Sequence, residues 1–235
     1  MLPEDQGARS PAQAPAPGWT LPDEAGVPDS VSTGPSGLLL GEAPATRQTE
    51  GGPVTIRLFR SAPTRIVVAV PEYVTWLLAY RAISLGAHLS IVSNDLGRWQ
   101  SLVQAVQASG GTVDLLGQHD QPPSAGRPYR PSLVIDDADH YDGMGTPLGS
   151  WQAALVVQSV TTSAAVFALR TCDLALMAPW DQRVAEQARR AYALTPAQVR
   201  SCNNLAENEI VVARPRRVMR VAVPPTATEY QALFA

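Results

Sequence analysis

From residue 65 onward, short apolar runs rich in β-branched residues alternate with segments whose apolar positions recur every three or four residues. The first run, residues 65–70, is followed by apolar positions that fall on one face of a helix, and Gly86 then provides a helix stop. The same rhythm predicts six buried strands, at residues 65–70, 88–92, 112–116, 132–135, 153–157 and 173–177. Strands that alternate with helices predict a parallel sheet covered on both faces.

The segments on either side of this core complete the expected architecture. Residues 37–41 and 54–58 read as short strands before it, and residues 209–213 and 217–223 read as a closing β-hairpin after it. The sequence therefore predicts an α/β fold with a doubly wound, mostly parallel sheet. This is a Rossmann-like or RecA-like, three-layer α/β/α arrangement with a C-terminal β-hairpin.

Composition separates an N-terminal segment from this domain. Residues 1–35 are rich in Pro, Ala, Ser, Gly and acidic side chains, and they offer too little apolar surface to offset the entropy of ordering. We therefore expect a disordered tail over 1–35 and a single α/β domain over 36–235. None of the apolar runs in the sequence approaches the length of a membrane helix, and a signal peptide is not evident, so the expected location is cytoplasmic.

Charge argues against a nucleic-acid partner. Residues 1–53 carry seven carboxylates and two arginines, whereas the remainder carries fourteen carboxylates and sixteen arginines. The domain is therefore nearly neutral, and the pI of the chain is about 5.6, whereas nucleic-acid binders are usually basic. Arg214, Arg216, Arg217 and Arg220 form the one local cluster of arginines, which we interpret as solvated side chains at strand ends.

The first strand–helix crossover lacks the residues that bind nucleotide phosphates. A P-loop requires G-x-x-x-x-G-K-S/T at this point, so that backbone N–H groups and a lysine contact the phosphates. Residues 69–74 read Ala-Val-Pro-Glu-Tyr-Val, and the whole chain contains no lysine. The sequence therefore predicts that this chain does not hydrolyse ATP alone, forms no Schiff base and requires no cofactor.

Polar residues nevertheless follow two of the later strands. The run 133–137, which ends in Asp136 and Asp137, resembles a Walker B strand, and Gln158 follows the next strand, where related ATPases often have a polar sensor residue. Without a P-loop we interpret Asp136, Asp137 and Gln158 as remnants of a nucleotide site.

A metal site at the same place is an alternative interpretation. Asp137 and Asp139 match the D-x-D pattern with which many glycosyltransferases hold a metal–sugar-nucleotide, and His140 and Asp142 lie close by in the sequence. Carboxylate oxygens suit hard cations such as Mg²⁺ or Mn²⁺. Neither a zinc motif nor a redox motif is evident around the two cysteines, and no G-x-S-x-G motif supports a catalytic triad.

Four segments of the chain, 37–42, 53–56, 81–92 and 215–230, resemble the cytosolic part of EccE, a component of the actinobacterial type VII (ESX) secretion complex. Members of that family show a similar G-x-L-L-x-G-E segment, a following P-V strand, and a helix that ends in R-A-x-x-x-G-A before a strand. The resemblance implies a non-catalytic subunit that works with EccB, EccC and EccD at the cytosolic face of the inner membrane. The membrane helices that precede this domain in EccE have no counterpart in the chain.

Three functional hypotheses follow from the sequence. The first is a structural or assembly subunit of a type VII secretion machinery. The second is a degenerate, RecA-like nucleotide-binding domain that pairs with an active ATPase. The third is a metal-dependent transferase that uses Asp137 and Asp139. The sequence leaves homo-oligomerisation open.

Overall fold

The computed structural model describes residues 37–45, 50–138 and 147–235. The predicted tail, residues 1–35, lies outside these residues. The described strands are β1 (Leu38–Ala43), β2 (Gly52–Ile56), β3 (Thr64–Ala69), β4 (His88–Ser93), β5 (Val113–Gly117), β6 (Ser132–Asp137), β7 (Gln152–Val157), β8 (Leu174–Met177), β9 (Glu209–Arg214) and β10 (Arg217–Ala222). The α-helices are α1 (Glu72–Ser84), α2 (Gln100–Ala108), α3 (Ala165–Thr171), α4 (Gln182–Tyr192), α5 (Pro196–Ser201) and α6 (Ala227–Phe234), and a 3₁₀ turn over Gly97–Trp99 leads into α2.

The ten strands form one sheet in the order β2-β1-β10-β9-β8-β3-β7-β6-β4-β5. The six strands from β8 to β5 in this order are parallel, and the four at the other end pair antiparallel, including the predicted hairpin β9–β10. The prediction of a doubly wound, mostly parallel sheet with a C-terminal hairpin is confirmed.

The chain winds from β3 in both directions, which places helices on both faces of the sheet. The crossover from β3 to β4 runs toward one end of the sheet, and the crossover from β7 to β8 runs toward the other. Because both crossovers are expected to be right-handed, α1 and α3 belong on opposite faces. Two separate buried clusters show this: one joins the sheet to α1, α2 and α6, and the other joins it to α3 and α4. The predicted three layers are therefore present.

The C-terminal helix α6 was not predicted, although the sequence carries a signal for it. Thr226 and Glu229 form a capping box, in which the Thr226 side chain accepts from the backbone N–H of Glu229 and the Glu229 carboxylate accepts from that of Thr226. Phe234 at the end of α6 stacks on Trp76 of α1, with ring centroids 6.0 Å apart. The helix therefore closes one face of the sheet.

A buried ion pair holds α6 against α1. Arg81 of α1 donates to both carboxylate oxygens of Glu229, at 2.5 and 2.9 Å, and both side chains are about nine-tenths buried. Burial raises the pKa of Glu229, but the hydrogen bonds from Arg81 and from the Thr226 backbone outweigh it and leave the pKa below its ordinary value. The pair therefore remains charged at neutral pH.

None of the described helices combines the length and the apolar character that crossing a membrane would require.

Candidate functional site

A cleft of about 380 Å³ opens at the carboxyl ends of β3, β6, β7 and β8. Open α/β sheets bind ligands at this edge, beside the strand from which the chain winds in both directions. Here that strand is β3, and the cleft is lined by Val70 after β3, Asp137 at the end of β6, Gln158 after β7 and Pro179 after β8. Two of the three residues predicted from the sequence, Asp137 and Gln158, thus share one cleft.

The β3–α1 crossover at this edge of the sheet contains a proline and a carboxylate. Pro71 occupies the N-cap position of α1 with an extended backbone, and Glu72 lies in the first turn of the helix. A carboxylate in the first turn of a helix interacts favourably with the helix dipole. Glu72 therefore brings negative charge to the helix end at which a P-loop protein would bind phosphate.

Asp137 is held by protein donors from β4 and from the turn that follows it. One of its oxygens accepts from the Ser93 hydroxyl at 3.0 Å and from the Trp99 indole N–H at 2.8 Å. The Arg98 guanidinium lies 3.2 Å from each carboxylate oxygen. The side chain of Asp137 is only 11% exposed, so its lone pairs are largely taken up within the protein.

Arg98 joins the two carboxylates of the site. Its Nε lies 3.4 Å from Glu72, its terminal nitrogen contacts Asp137, and its guanidinium lies 5.1 Å from the centre of the Trp99 ring. In an ATPase, Mg²⁺ and the P-loop lysine supply the positive charge at this edge of the sheet. Here Arg98 supplies positive charge at the same edge. Part of the negative charge of the two carboxylates is thus offset by a protein cation.

Sequence reasoning missed Arg98, although a signal was present. An arginine in the opening turn of a helix meets the positive end of the helix dipole, which disfavours it unless carboxylates lie close by. Arg98 lies in the 3₁₀ turn just ahead of the N-terminus of α2, a few residues after β4, at the edge of the sheet where Asp137 ends β6. An unfavourably placed cation beside a predicted acidic strand end could have pointed to an ion pair.

Asp136 and Gln158 occupy different environments. Asp136 is 2% exposed and accepts from the backbone N–H of Ala138, so it is turned away from the cleft solvent. The backbone N–H of Gln158 donates to Val68 at 3.2 Å and extends the β3–β7 pairing. Its side-chain amide nitrogen is buried without a hydrogen-bond partner, which leaves one donor at the cleft wall.

The structure does not assemble a cation site from the residues it describes. Across residues 37–45, 50–138 and 147–235, no group of three His, Cys, Asp or Glu side chains is placed to share a metal ion. Asp139, the second residue of the D-x-D pattern, lies outside the described residues, as do His140 and Asp142. The metal hypothesis for Asp137 and Asp139 therefore stays a prediction.

Two other polar features lie away from the cleft. His88 begins β4 at the opposite edge of the sheet and is bonded to Thr112 and Asp114, with N–O distances of 2.9 and 2.8 Å. Cys172 and Cys202 form no disulfide and are buried, and burial raises the pKa of the Cys172 thiol to about 11. A buried thiol with a raised pKa is a poor nucleophile.

Comparison with known proteins gives a fold relative. No family model matches the chain, and no curated protein matches it in sequence. Among solved structures, the chain is similar to VirB4 of Thermoanaerobacter pseudethanolicus, with a TM-score of 0.54 and 9% sequence identity over 86% of this chain and 100% of that one. At this identity the likeness concerns the fold alone, an α/β fold with a mostly parallel sheet.

Proposed function

We propose that this chain is a non-catalytic, RecA-like structural subunit of a secretion machinery of the type VII class. The observation that carries the non-catalytic part is the Arg98 bridge between Glu72 and Asp137. An ATPase binds a metal ion and the phosphates of its nucleotide at this place, whereas here the charged side chains of the bridge occupy it.

ATP hydrolysis would require several parts that this site replaces. The γ-phosphate needs a backbone cradle and a lysine, but the crossover offers Pro71 and Glu72. A nucleotide-bound Mg²⁺ needs free carboxylate lone pairs, but Asp137 already accepts from Ser93, Arg98 and Trp99. Binding Mg-ATP would therefore require breaking a network that stabilises the fold.

The type VII assignment is supported by how the EccE-like segments meet in space. Arg81, in the R-A-x-x-x-G-A segment, donates to the carbonyl oxygens of Leu39 and Leu40 in the G-x-L-L-x-G-E segment. The same guanidinium binds Glu229 and the Pro224 carbonyl in the C-terminal segment. Segments that are far apart in the sequence thus form one bonded unit, as a shared fold would require. The fold likeness to VirB4, itself a type IV secretion ATPase, is compatible with a secretion role.

The first experiment is affinity purification of the tagged chain from the detergent-solubilised membranes of its own host, with mass spectrometry of the proteins that co-purify. We expect relatives of EccB, EccC or EccD to be enriched at least about tenfold over an untagged control strain. An Arg81→Met strain, in which the EccE-like segments lose their common partner, should show reduced enrichment at equal expression. Recovery of the chain without any such relative would contradict the type VII assignment.

The second candidate, a domain that binds nucleotide without hydrolysing it, is favoured by the cleft of about 380 Å³ and the unpartnered amide of Gln158. A ligand that binds only the folded state raises Tm. Measuring Tm with and without millimolar ATP and Mg²⁺ therefore distinguishes the structural role from the nucleotide-binding role. The structural role predicts a Tm change below about 1 °C. A rise of several degrees that Gln158→Ala abolishes and Gln198→Ala preserves would establish the nucleotide-binding role instead.

A further inference from the structure

The topology gathers arginines at the amino edge of the sheet, opposite the cleft. Arg60 precedes β3, Arg170 ends α3 before β8, and Arg190 lies in the last turn of α4. The β9–β10 turn adds Arg214, Arg216 and Arg217. We refer to Arg60, Arg170, Arg190, Arg214, Arg216 and Arg217 as the arginine edge.

Contacts between these elements show that the arginine edge is one continuous surface. Arg60 is paired with Asp173 at the start of β8, and β8 in turn pairs with β9 next to Arg214. Arg170 donates to the carbonyl oxygen of Arg190, and the backbone N–H of Arg216 donates to Tyr192 at the end of α4. The surface therefore crosses four adjacent strands, about 15 Å at ordinary strand spacing.

Most of the positive charge on this surface is not neutralised. Asp173 pairs with Arg60, and Glu186 is shared between Arg189 and Arg190. Among the described residues, Arg170, Arg214, Arg216 and Arg217 have no carboxylate partner, and all four are exposed. An exposed group of unpaired arginines attracts anions over a distance set by salt screening.

The open face of the hairpin adds an apolar floor between two of these arginines. Arg214 pairs with Arg217 and Val212 pairs with Met219 across the two strands, so alternation places all four side chains on one face. Together they line a shallow groove of about 400 Å³, in which Met219 is 40% exposed. On a surface in which phosphates lie above an apolar layer, the guanidinium groups can bind the phosphates and the exposed apolar strip can contact the layer beneath.

The opposite edge of the sheet carries the other sign of charge. Glu72, Asp95, Asp181 and Glu209 lie at the carboxyl ends of the parallel strands or beside them. Arg98 pairs with Glu72 and Arg220 pairs with Glu209, so the negative charge of this edge is only partly offset. An anionic plane therefore attracts one edge of the domain and repels the other, which sets the orientation of the domain as well as its affinity.

We propose that the arginine edge is a docking surface for the anionic phosphates of a phospholipid bilayer. The residues lie on turns and helix ends spread over four strands rather than in a narrow slot, so they suit a flat partner better than an inserted peptide. Arginine suits phosphate because its planar guanidinium donates two parallel hydrogen bonds. The inference does not depend on the proposed secretion function.

The test is co-sedimentation of the full chain with large vesicles of phosphatidylcholine, with and without phosphatidylglycerol, at physiological ionic strength. We expect binding only to the vesicles that contain phosphatidylglycerol, and weaker binding as salt is raised. Arg214→Glu with Arg217→Glu should lower the apparent affinity about 20-fold or more, since each arginine near an anionic surface contributes about fivefold.

The matched control compares one charge reversal on the arginine edge with an identical charge reversal outside it. Arg217→Glu should lower affinity for these vesicles strongly, whereas Arg183→Glu, an exposed arginine in the first turn of α4 near the opposite edge, should change it less than about twofold. Circular dichroism and Tm verify that both variants fold. Equal losses in the two variants would overturn the proposal, and so would binding to soluble poly-L-glutamate without binding to the vesicles.

Discussion

Replacement of Arg81 by Met is expected to lower the free energy of unfolding by about 3 kcal/mol, because removal of one member of a buried pair leaves the other charge without compensation. Glu229 is 8% exposed, and its carboxylate would keep only one hydrogen-bond donor, the backbone N–H of Thr226. The carbonyl groups of Leu40 and Pro224 would also lose their donor. Urea unfolding measures this change, and Tm should fall by roughly 6 to 12 °C for a chain of this size.

Two further variants separate the ion pair from simple loss of packing. Glu229→Met combined with Arg81→Met should recover part of the loss, because two apolar side chains leave no uncompensated buried charge. Arg190→Met, which breaks the solvent-exposed contact with Glu186, should destabilise the protein much less than Arg81→Met does. Equal destabilisation by Arg81→Met and Arg190→Met would show that burial does not set the strength of the Arg81 pair.

The single guanidinium of Arg81 also joins three segments that are far apart in the sequence. It reaches β1, the segment after β10, and α6, and these partners lie up to 148 residues from Arg81 in the sequence. Each of these partners depends on the position of the others, so a change in one segment disturbs the bonds of all of them.

Apolar periodicity was sufficient to predict the strands, because the parallel strands inside the sheet are buried on both faces, although the edge strand β5 is not. β6 and β7 are almost entirely buried from their first to their fifth residues, so their sequences are continuous apolar runs that stand out from the helices between them. The two-sided burial also explains why the layer architecture followed from the sequence. The hairpin β9–β10 was recognisable for another reason, a Pro-Arg turn between two β-branched runs.

Local signals predicted the helix boundaries less well than the strands. Thr161 and Thr162 have side chains that suit a helix N-cap, but α3 begins at Ala165 and its N-cap residue, Ala164, makes no side-chain capping bond. Asp181 and Thr195, by contrast, cap α4 and α5 with their side chains. A threonine side chain has several bonding choices, and here Thr161 is bonded to Ser159 instead.

The residues of the candidate site could be placed from the sequence, but not their partners. Asp137 and Gln158 follow apolar strands, and carboxyl ends of parallel strands meet at one edge. The strand order decides which side chains then meet, and β4 became the neighbour of β6 although β5 and a loop separate them in the chain. That adjacency brings Arg98 to Asp137, and no local pattern encodes it.

Asp137→Ala is expected to lower the free energy of unfolding by about 3 kcal/mol, because it removes the acceptor of a buried donor and one partner of Arg98. The indole N–H of Trp99, a side chain that is fully buried, would lose its bond to the carboxylate, and an unsatisfied buried donor costs about 1–3 kcal/mol. Ser93 is less affected, since its hydroxyl also contacts the carbonyl of Asp95. Urea unfolding of the two proteins measures the difference.

The direction of this change distinguishes a structural carboxylate from a metal-binding one. A carboxylate kept free for a cation is a source of instability in the unliganded protein, so its removal is neutral or stabilising. Asp137→Asn, which keeps an acceptor oxygen but loses the charge, should cost about half as much as Asp137→Ala, and Glu72→Gln, at the half-exposed end of the bridge, less than about 1 kcal/mol. Trp99→Phe should destabilise the wild-type protein more than it destabilises Asp137→Ala, since the indole N–H has an acceptor only in the former. Two results would show that this edge binds a cation and that the Arg98 bridge is displaced when it does. One is an Asp137→Ala protein as stable as the wild type, and the other is stabilisation by millimolar Mg²⁺ that occurs in the wild type but not in Asp137→Ala.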